Sequence, residues 1–377
     1  MTTDGSRGRQ RRARLVAALV VGAALVAVAV FGSSSSSAQT TSGGSKAIKA
    51  AWIWYGPKND GGWNVANTVG QTAVKKALGS SYSQVESDNV PYTDQAGQIF
   101  EQYVSTGANV LVDTVGYGDI FTKVCNKHPN IFCIQTAPFT KLGPNTTAWF
   151  SELWLAEYTA GVAAGLSTKS NTVGYVLGYK VPLIIGAAND FTMGCRSVNP
   201  KCKVRIIVTN DYFNPPKTAA AVSTLLNAGA DVIRSYTDDQ GYCQAVKRSG
   251  ALAIGEFWTN GAQCGSSALV STVWDFAKYY TDEFKLIQAG KFKSQQLQWL
   301  DARSSFTLTD WGPKVSSTVK KKVQLTLAAL VSGKKNPFVG PIKDTSGKIR
   351  IPAGKTLSNT FLYGGWNWYV QGIVAGK

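Results

Sequence analysis

From Ala47 onward the sequence keeps switching period: short runs of β-branched or aromatic residues alternate with longer segments whose apolar residues repeat at helical spacing. Few architectures satisfy that alternation, because strands joined through crossover helices pair in parallel and need helices on both faces of their sheet. A first series predicts strands over 48–55, 84–87, 109–113 and 131–136, with helices over 63–78, 95–106 and 120–126. A second series predicts helices over 154–166, 183–198, 217–227 and 242–249, with strands over 172–176, 204–208, 230–234 and 253–255. The expected fold is α/β with two lobes, each a doubly wound parallel sheet. The first lobe covers 47–140 and the second 141–265, the join falling near 138–150. Residues 266–377, with long helices over 272–289 and 318–331, are expected to cross back between the lobes as a multi-stranded hinge.

Composition supports a packed chain. Of 377 residues, 44% are hydrophobic and 16% charged, which excludes disorder as the main state. The net charge of +17 raises nucleic acid as a partner, but residues 1–38 carry +4 of it and leave +13 scattered over the rest. Lys320-Lys321-Lys322 and Lys334-Lys335 read as solvated surface, so nucleic-acid binding is not expected.

Five arginines precede an unbroken apolar run from 15 to 31, followed by a Ser-rich stretch ending Ser36-Ser37-Ala38. That order marks an export signal over 1–38, with an uncleaved membrane anchor as the alternative and a linker over 39–46. The protein is therefore expected at the extracellular face of a membrane or in a periplasm. Six cysteines in such a compartment read as three disulfides. They allow 15 connectivities; the expected set joins nearest neighbours, Cys125 with Cys133, Cys195 with Cys202 and Cys243 with Cys264. Zinc is the competing use, but the chain has no Cys-x-x-Cys pair and a single histidine, so no metal is expected.

Two parallel sheets facing one another bring the carboxyl ends of their strands to one cleft, where open α/β sheets bind ligands. The cleft-facing loops are 56–62, 88–94, 114–118, 178–182, 209–216, 235–241 and 256–265. They and their edges carry Trp63, Asn64, Tyr92, Tyr117, Tyr179, Tyr212, Phe213, Tyr236, Phe257 and Trp258. Any one of these rings also suits core packing. Together they suit a flat ligand: stacking a base on an aromatic contributes about 1–3 kcal/mol per face, and micromolar binding needs roughly 8 kcal/mol. Carboxylates in the same loops, Asp60, Asp88, Asp94, Asp119, Asp211, Asp238, Asp239 and Glu256, would accept from ring N–H or ribose hydroxyl groups. Helix capping competes for Asp60 and Asp119.

Catalytic machinery is sparse. His128 is the lone histidine, placed on the surface beside an expected disulfide, so no Ser-His-Asp or Cys-His arrangement forms away from it. Gly116-Tyr117-Gly118-Asp119 lacks the third glycine of a dinucleotide fingerprint, and no cofactor is expected. A secreted hydrolase working through two cleft carboxylates remains the enzymatic alternative.

The segments Asn59-Asp60-Gly61-Gly62-Trp63-Asn64, then 157–165, 186–191 and 194–200, followed by Asn214-Pro215-Pro216-Lys217 and Gly229-Ala230-Asp231-Val232-Ile233, stand in a specific order. Over about residues 47–375 the chain resembles the basic membrane protein family, substrate-binding proteins of ABC importers, several of which bind purine nucleosides or bases. The resemblance implies the periplasmic-binding type I fold with three hinge crossings. It implies Trp63 as a stacking ring with Asn64 hydrogen-bonding beside it, Tyr117 lining the first lobe, and Tyr212 or Phe213 stacking from the second. Asp238 would face the ligand's polar edge, and Glu256, ahead of Phe257-Trp258, would stand near the family's acidic residue. Two departures are visible: Trp274 where the nucleoside-binding branch has a lysine in the following helix, and Glu256-Phe257-Trp258 where that branch has Asp-x-Asp. The resemblance implies a purine-like small-molecule ligand and a permease partner, with membrane contact through the permease or an N-terminal anchor, for a chain expected to be a monomer. A ligand sensor signalling to a membrane receptor would carry the same features.

Overall fold

The computed structural model describes residues 46–138 and 141–375. The expected export signal and all but the last residue of the linker lie outside the described residues.

In the first lobe, β1 (Ile48–Ile53), β2 (Tyr82–Ser87), β3 (Val110–Asp113), β4 (Phe132–Thr136) and β5 (Thr146–Ser151) are linked through α1 (Trp63–Leu78), α2 (Asp94–Ser105) and α3 (Asp119–Lys127). After α4 (Leu153–Ser167) the second lobe repeats the plan with β6 (Thr172–Leu177), α5 (Pro182–Val198), β7 (Lys203–Val208), α6 (Pro215–Asn227) and β8 (Val232–Tyr236). It continues through α7 (Tyr242–Ser249), β9 (Leu252–Gly255), α8 (Gly261–Cys264) and β10 (Ala268–Trp274). Next come α9 (Ala277–Gln288), β11 (Gln295–Leu300), α10 (Ala302–Ser305), β12 (Phe306–Thr309) and α11 (Ser317–Val331). The chain closes with β13 (Ile342–Lys343), β14 (Ile349–Ile351), α12 (Asn359–Gly364) and β15 (Ile373–Ala375).

The first sheet has the order β11-β5-β4-β3-β1-β2, and the second β12-β10-β9-β8-β6-β7-β15. Within these two sheets every pairing is parallel except β10 with β12, and β13 and β14 form a separate antiparallel pair. Strands buried on both faces read as continuous apolar runs, which is why Ala50 to Trp54 and Val110 to Val112 are wholly buried. In each sheet the order reverses once, between β1 and β3 and between β6 and β8, so each lobe has a switch point whose loops open toward the other lobe.

The chain passes between the sheets three times: from β5 to β6, from β10 to β11, and from β11 to β12. Hydrogen bonds tie these passages together. The Asp275 N–H donates to the Ser305 carbonyl at 2.9 Å, and the Glu152 carboxylate accepts from the Ala302 N–H and the Asn359 amide, each at 3.4 Å.

Two expectations are corrected. The stretch Thr146–Ser151, expected to lie beyond the first lobe, is β5 and pairs with β4, so the first sheet extends past residue 140. Thr272 to Trp274, expected to begin a helix, end β10; the β-branched run keeps the extended form, and α9 starts only where the Asp275 carboxylate accepts the Ala277 N–H at 2.8 Å. Trp274 is thus a buried strand residue packed on Phe276 and Phe306, not a cleft-facing helical position. All three nearest-neighbour disulfides are present, and no described cysteine is free.

Candidate functional site

The loops at the two switch points meet. Gln240 Nε2 donates across the cleft to the Gly61 carbonyl at 3.0 Å, and the Trp63 N–H reaches Asp238 Oδ1 at 3.4 Å. The Phe213 side chain covers Gly56, and the rings of Tyr55 and Tyr212 meet edge to face at 6.1 Å. The lobes are therefore in a closed arrangement.

Between them lies a small cavity of about 80 Å³. It is lined from the first lobe by Tyr55, Trp63, Tyr92, Val115, Thr136, Ala137 and Phe150, and from the second by Leu183, Ile184, Tyr212, Tyr236, Asp238 and Phe257. Wider grooves, one running along Leu166, Asp231 and Lys314, lie at the opposite ends of the strands and lack convergent aromatic walls. The cleft cavity is the one that both switch points build.

Each wall is fixed from behind. The Trp63 indole N–H donates to the Thr114 carbonyl at 2.7 Å, and its ring packs on Phe150 at 6.2 Å and on Phe257 of the other lobe at 5.0 Å. Asp60 holds the start of α1: its carboxylate accepts from the N–H groups of Gly62, Asn64 and Val65 at 2.8, 3.0 and 3.2 Å. Asp113 does the same for the loop bearing Val115, accepting from Val115, Gly116 and Tyr117 at 3.0, 2.7 and 2.8 Å. In the second lobe Asp239 accepts from Asn214, Thr218 and Gly241, which binds two cleft loops together. Phe257 occupies the left-handed region at φ 59, a conformation that costs a bulky residue about 1–3 kcal/mol. The Trp274 N–H to its carbonyl and the Tyr236 ring at 5.1 Å hold it there, and its ring is aimed into the cavity.

Of the residues expected at the cleft, Trp63, Tyr92, Tyr212, Tyr236, Asp238 and Phe257 line the cavity. The others are corrected. Asp60 is spent on the helix cap, and Asn64 Nδ2 ties the Tyr55 and Pro57 carbonyls at 2.6 and 3.1 Å. Tyr117 is buried in the first lobe, its hydroxyl donating to the Val90 carbonyl at 2.7 Å. Phe213 lies over Gly56 rather than in the cavity, and Trp258 is half-buried outside the lining. Glu256 faces the interior, paired with the buried Arg234, which also binds Glu157 Oε1 at 2.6 Å. A buried guanidinium needs carboxylate partners, and that demand removes Glu256 from the cleft. His128, expected on the surface, is half-buried and bonds Glu101 at 2.7 Å.

Residues the sequence reading did not place at the site are Tyr55, Phe150, Leu183, Ile184, Val115, Thr136 and Ala137. Tyr55 follows β1 and Leu183-Ile184 open α5 after β6, both at switch-point positions that strand order alone reveals.

Asp238 is the one carboxylate in the lining. Burial, with Asp60 and Asp239 nearby, pushes its carboxyl well above the usual range. The two-carboxylate arrangement of a hydrolase is not assembled among the described residues, because Asp60 and Glu256 point elsewhere.

Two like sheets, three crossings and a cavity walled from both lobes define a two-lobed solute-binding protein. The family model for ABC transporter substrate-binding proteins of the PnrA-like kind (Bmp) matches residues 47–338, and the chain belongs to that family. It is 29% identical over 332 residues to a purine-binding protein of Brucella abortus (strain 2308), covering 86% of this chain and 93% of the relative. It is 25% identical over 330 residues to a Haloferax volcanii protein named as an ABC transporter glucose-binding protein, covering 87% and 81%. In fold it is similar to an ABC transporter solute-binding protein of Conexibacter woesei, with a TM-score of 0.63 and 21% identity, over 77% of this chain and 98% of that one. Solute-binding proteins of this kind work in the periplasm or outside the cell. Among the described residues no helix is long and apolar enough to cross a membrane.

Proposed function

We propose that this protein is the extracytoplasmic binding component of an ABC importer and that its lobes close on a small planar ligand, a purine base or nucleoside, for delivery to a permease without chemical change. One observation carries the ligand class: seven of the thirteen lining residues are aromatic, drawn from both lobes. Rings on opposed walls suit a flat heterocycle, whose faces gain about 1–3 kcal/mol each from stacking. A hexose is a poorer fit, since its hydroxyls want several amide, carboxylate or guanidinium partners, and the lining offers Asp238 alone of these. The purine-binding Brucella relative points the same way.

The test is thermal melting of the protein against bases, nucleosides and sugars. A ligand that binds only the folded state adds RT ln(1 + [L]/Kd), about 2.7 kcal/mol at a hundredfold excess over Kd. A purine or nucleoside should raise Tm and be recovered unchanged, and Trp63→Ala should abolish most of the shift. A shift with hexoses alone would replace the planar ligand by a sugar.

A further inference from the structure

The thirteen residues that line the cavity include no lysine, arginine or histidine. Basic side chains near it in sequence are engaged elsewhere: Lys58 with Glu86 at 2.7 Å, Lys217 with Asp211 at 3.4 Å, and Lys180 over the Tyr369 ring at 5.7 Å. The acidic groups at this end of the molecule differ in how they are satisfied. Asp60 and Asp239 each accept three hydrogen bonds from protein donors, whereas among the described residues Asp238 accepts only the long bond from the Trp63 N–H at 3.4 Å and lines the void. The same cavity wall carries the rings of Tyr55, Trp63, Tyr212 and Phe257. Aromatic faces carry negative quadrupole potential, so the enclosure favours positive charge and opposes negative charge.

We propose that the ring taken by this cavity is bound as a cation, its charge shared between the aromatic walls and the Asp238 carboxylate, and that phosphorylated forms are rejected. This rests on the planar-ligand reading above and adds the charge of the ligand to it. The titratable groups facing Asp238 are Asp60, Asp239, Tyr55, Tyr92, Tyr212 and Tyr236, all of them neutral or negative, so none substitutes for a bound cation. Burial, with Asp60 and Asp239 nearby, pushes the Asp238 carboxyl upward, toward its protonated form. An arriving cation stabilises the carboxylate instead: the O–H bond breaks, the proton passes to solvent, and no bond forms to the ligand.

The experiment is calorimetric titration and thermal melting of the full chain with adenosine, with 1-methyladenosine and 7-methylguanosine as cationic rings, with AMP, and with choline as a cation lacking a ring. The expected result is binding of at least one methylated nucleoside about tenfold tighter than adenosine, and no shift with AMP. Binding heat should depend on the ionisation heat of the buffer, reporting proton release. Asp238→Asn should remove both the preference and the buffer dependence. Equal affinity for adenosine and the cationic rings, or buffer-independent heat in the unmodified protein, overturns the charge assignment and leaves the planar reading standing. Binding of choline alone supports the charge assignment and defeats the planar reading, and no shift with any of the five defeats both. The buffer comparison uses the unmodified chain, so it decides even if Asp238→Asn fails to fold.

Discussion

Arg234 shows how a single interior residue shapes the cleft without touching it. Its guanidinium is wholly buried and shared between Glu157 and Glu256, with a further bond to Thr272 Oγ1 at 3.1 Å. Glu256 immediately precedes Phe257, so the buried pair also anchors the strained backbone that aims that ring. Arg234→Met leaves two carboxylates buried without a cation and should cost about 3–5 kcal/mol in urea denaturation. Asp113 gives a pH prediction. Burial raises its carboxyl from 3.8 to about 7 against the pull of three backbone N–H groups. The native state then holds a proton that the unfolded chain releases above about pH 4, so this contribution is full in acid and is lost as pH rises through about 7. The urea midpoint should be higher at about pH 5 than at about pH 8, and Asp113→Asn should flatten the difference.

Among the elements, the pair α4 and α5 explains sequence segments that looked merely characteristic. Gly161 lies against the Phe191 carbonyl, and Gly194 against the Tyr158 carbonyl, so the two helix backbones touch where any side chain would intrude. Both helices are buried along most of their length, which seats the second lobe's core and places Ile184 of α5 at the cavity wall. A methyl at Gly161 would fall well inside contact distance of that carbonyl. Gly161→Ala should therefore cost about 2–3 kcal/mol, read as a lower urea midpoint, with ligand binding weakened through Ile184. At this scale the sequence was most readable. Strand and helix periods predicted nearly every element from α1 to β9, because propensity and burial agree there. They failed at Thr146–Ser151, where Gly143, Pro144 and Asn145 just ahead read as a loop, and at Thr272 to Trp274, where a strand runs close to a helix. The site was half legible: Trp63, Tyr212 and Asp238 follow strand ends, but Glu256 was drawn inward by partners it meets through Arg234. Glu157 lies 77 residues from Arg234, a distance no local pattern reports.

For the whole molecule, the lobes are held closed by few direct bonds. Gln240 Nε2 spans the cleft to the Gly61 carbonyl and also holds the Thr259 carbonyl at 2.7 Å. Gln240→Ala removes about 1 kcal/mol from the closed form and, through Thr259, a similar amount from the second lobe. The expected outcome is a larger radius of gyration by small-angle scattering without ligand and a several-fold weaker affinity, beside a slightly lower urea midpoint. A lowered midpoint with an unchanged radius of gyration would place Gln240 in the stability of a lobe alone.

The three passages between the sheets also govern the order in which the chain is completed. The first sheet receives β11, and the second receives β10, β12 and finally β15, the last of these at residues 373–375. Neither sheet is complete until β11, β12 and β15 have been made, so a growing chain carries two raw sheet margins until then. Removing Ile373–Ala375 would strip the cover from β7 and leave a margin open to pairing with a neighbour.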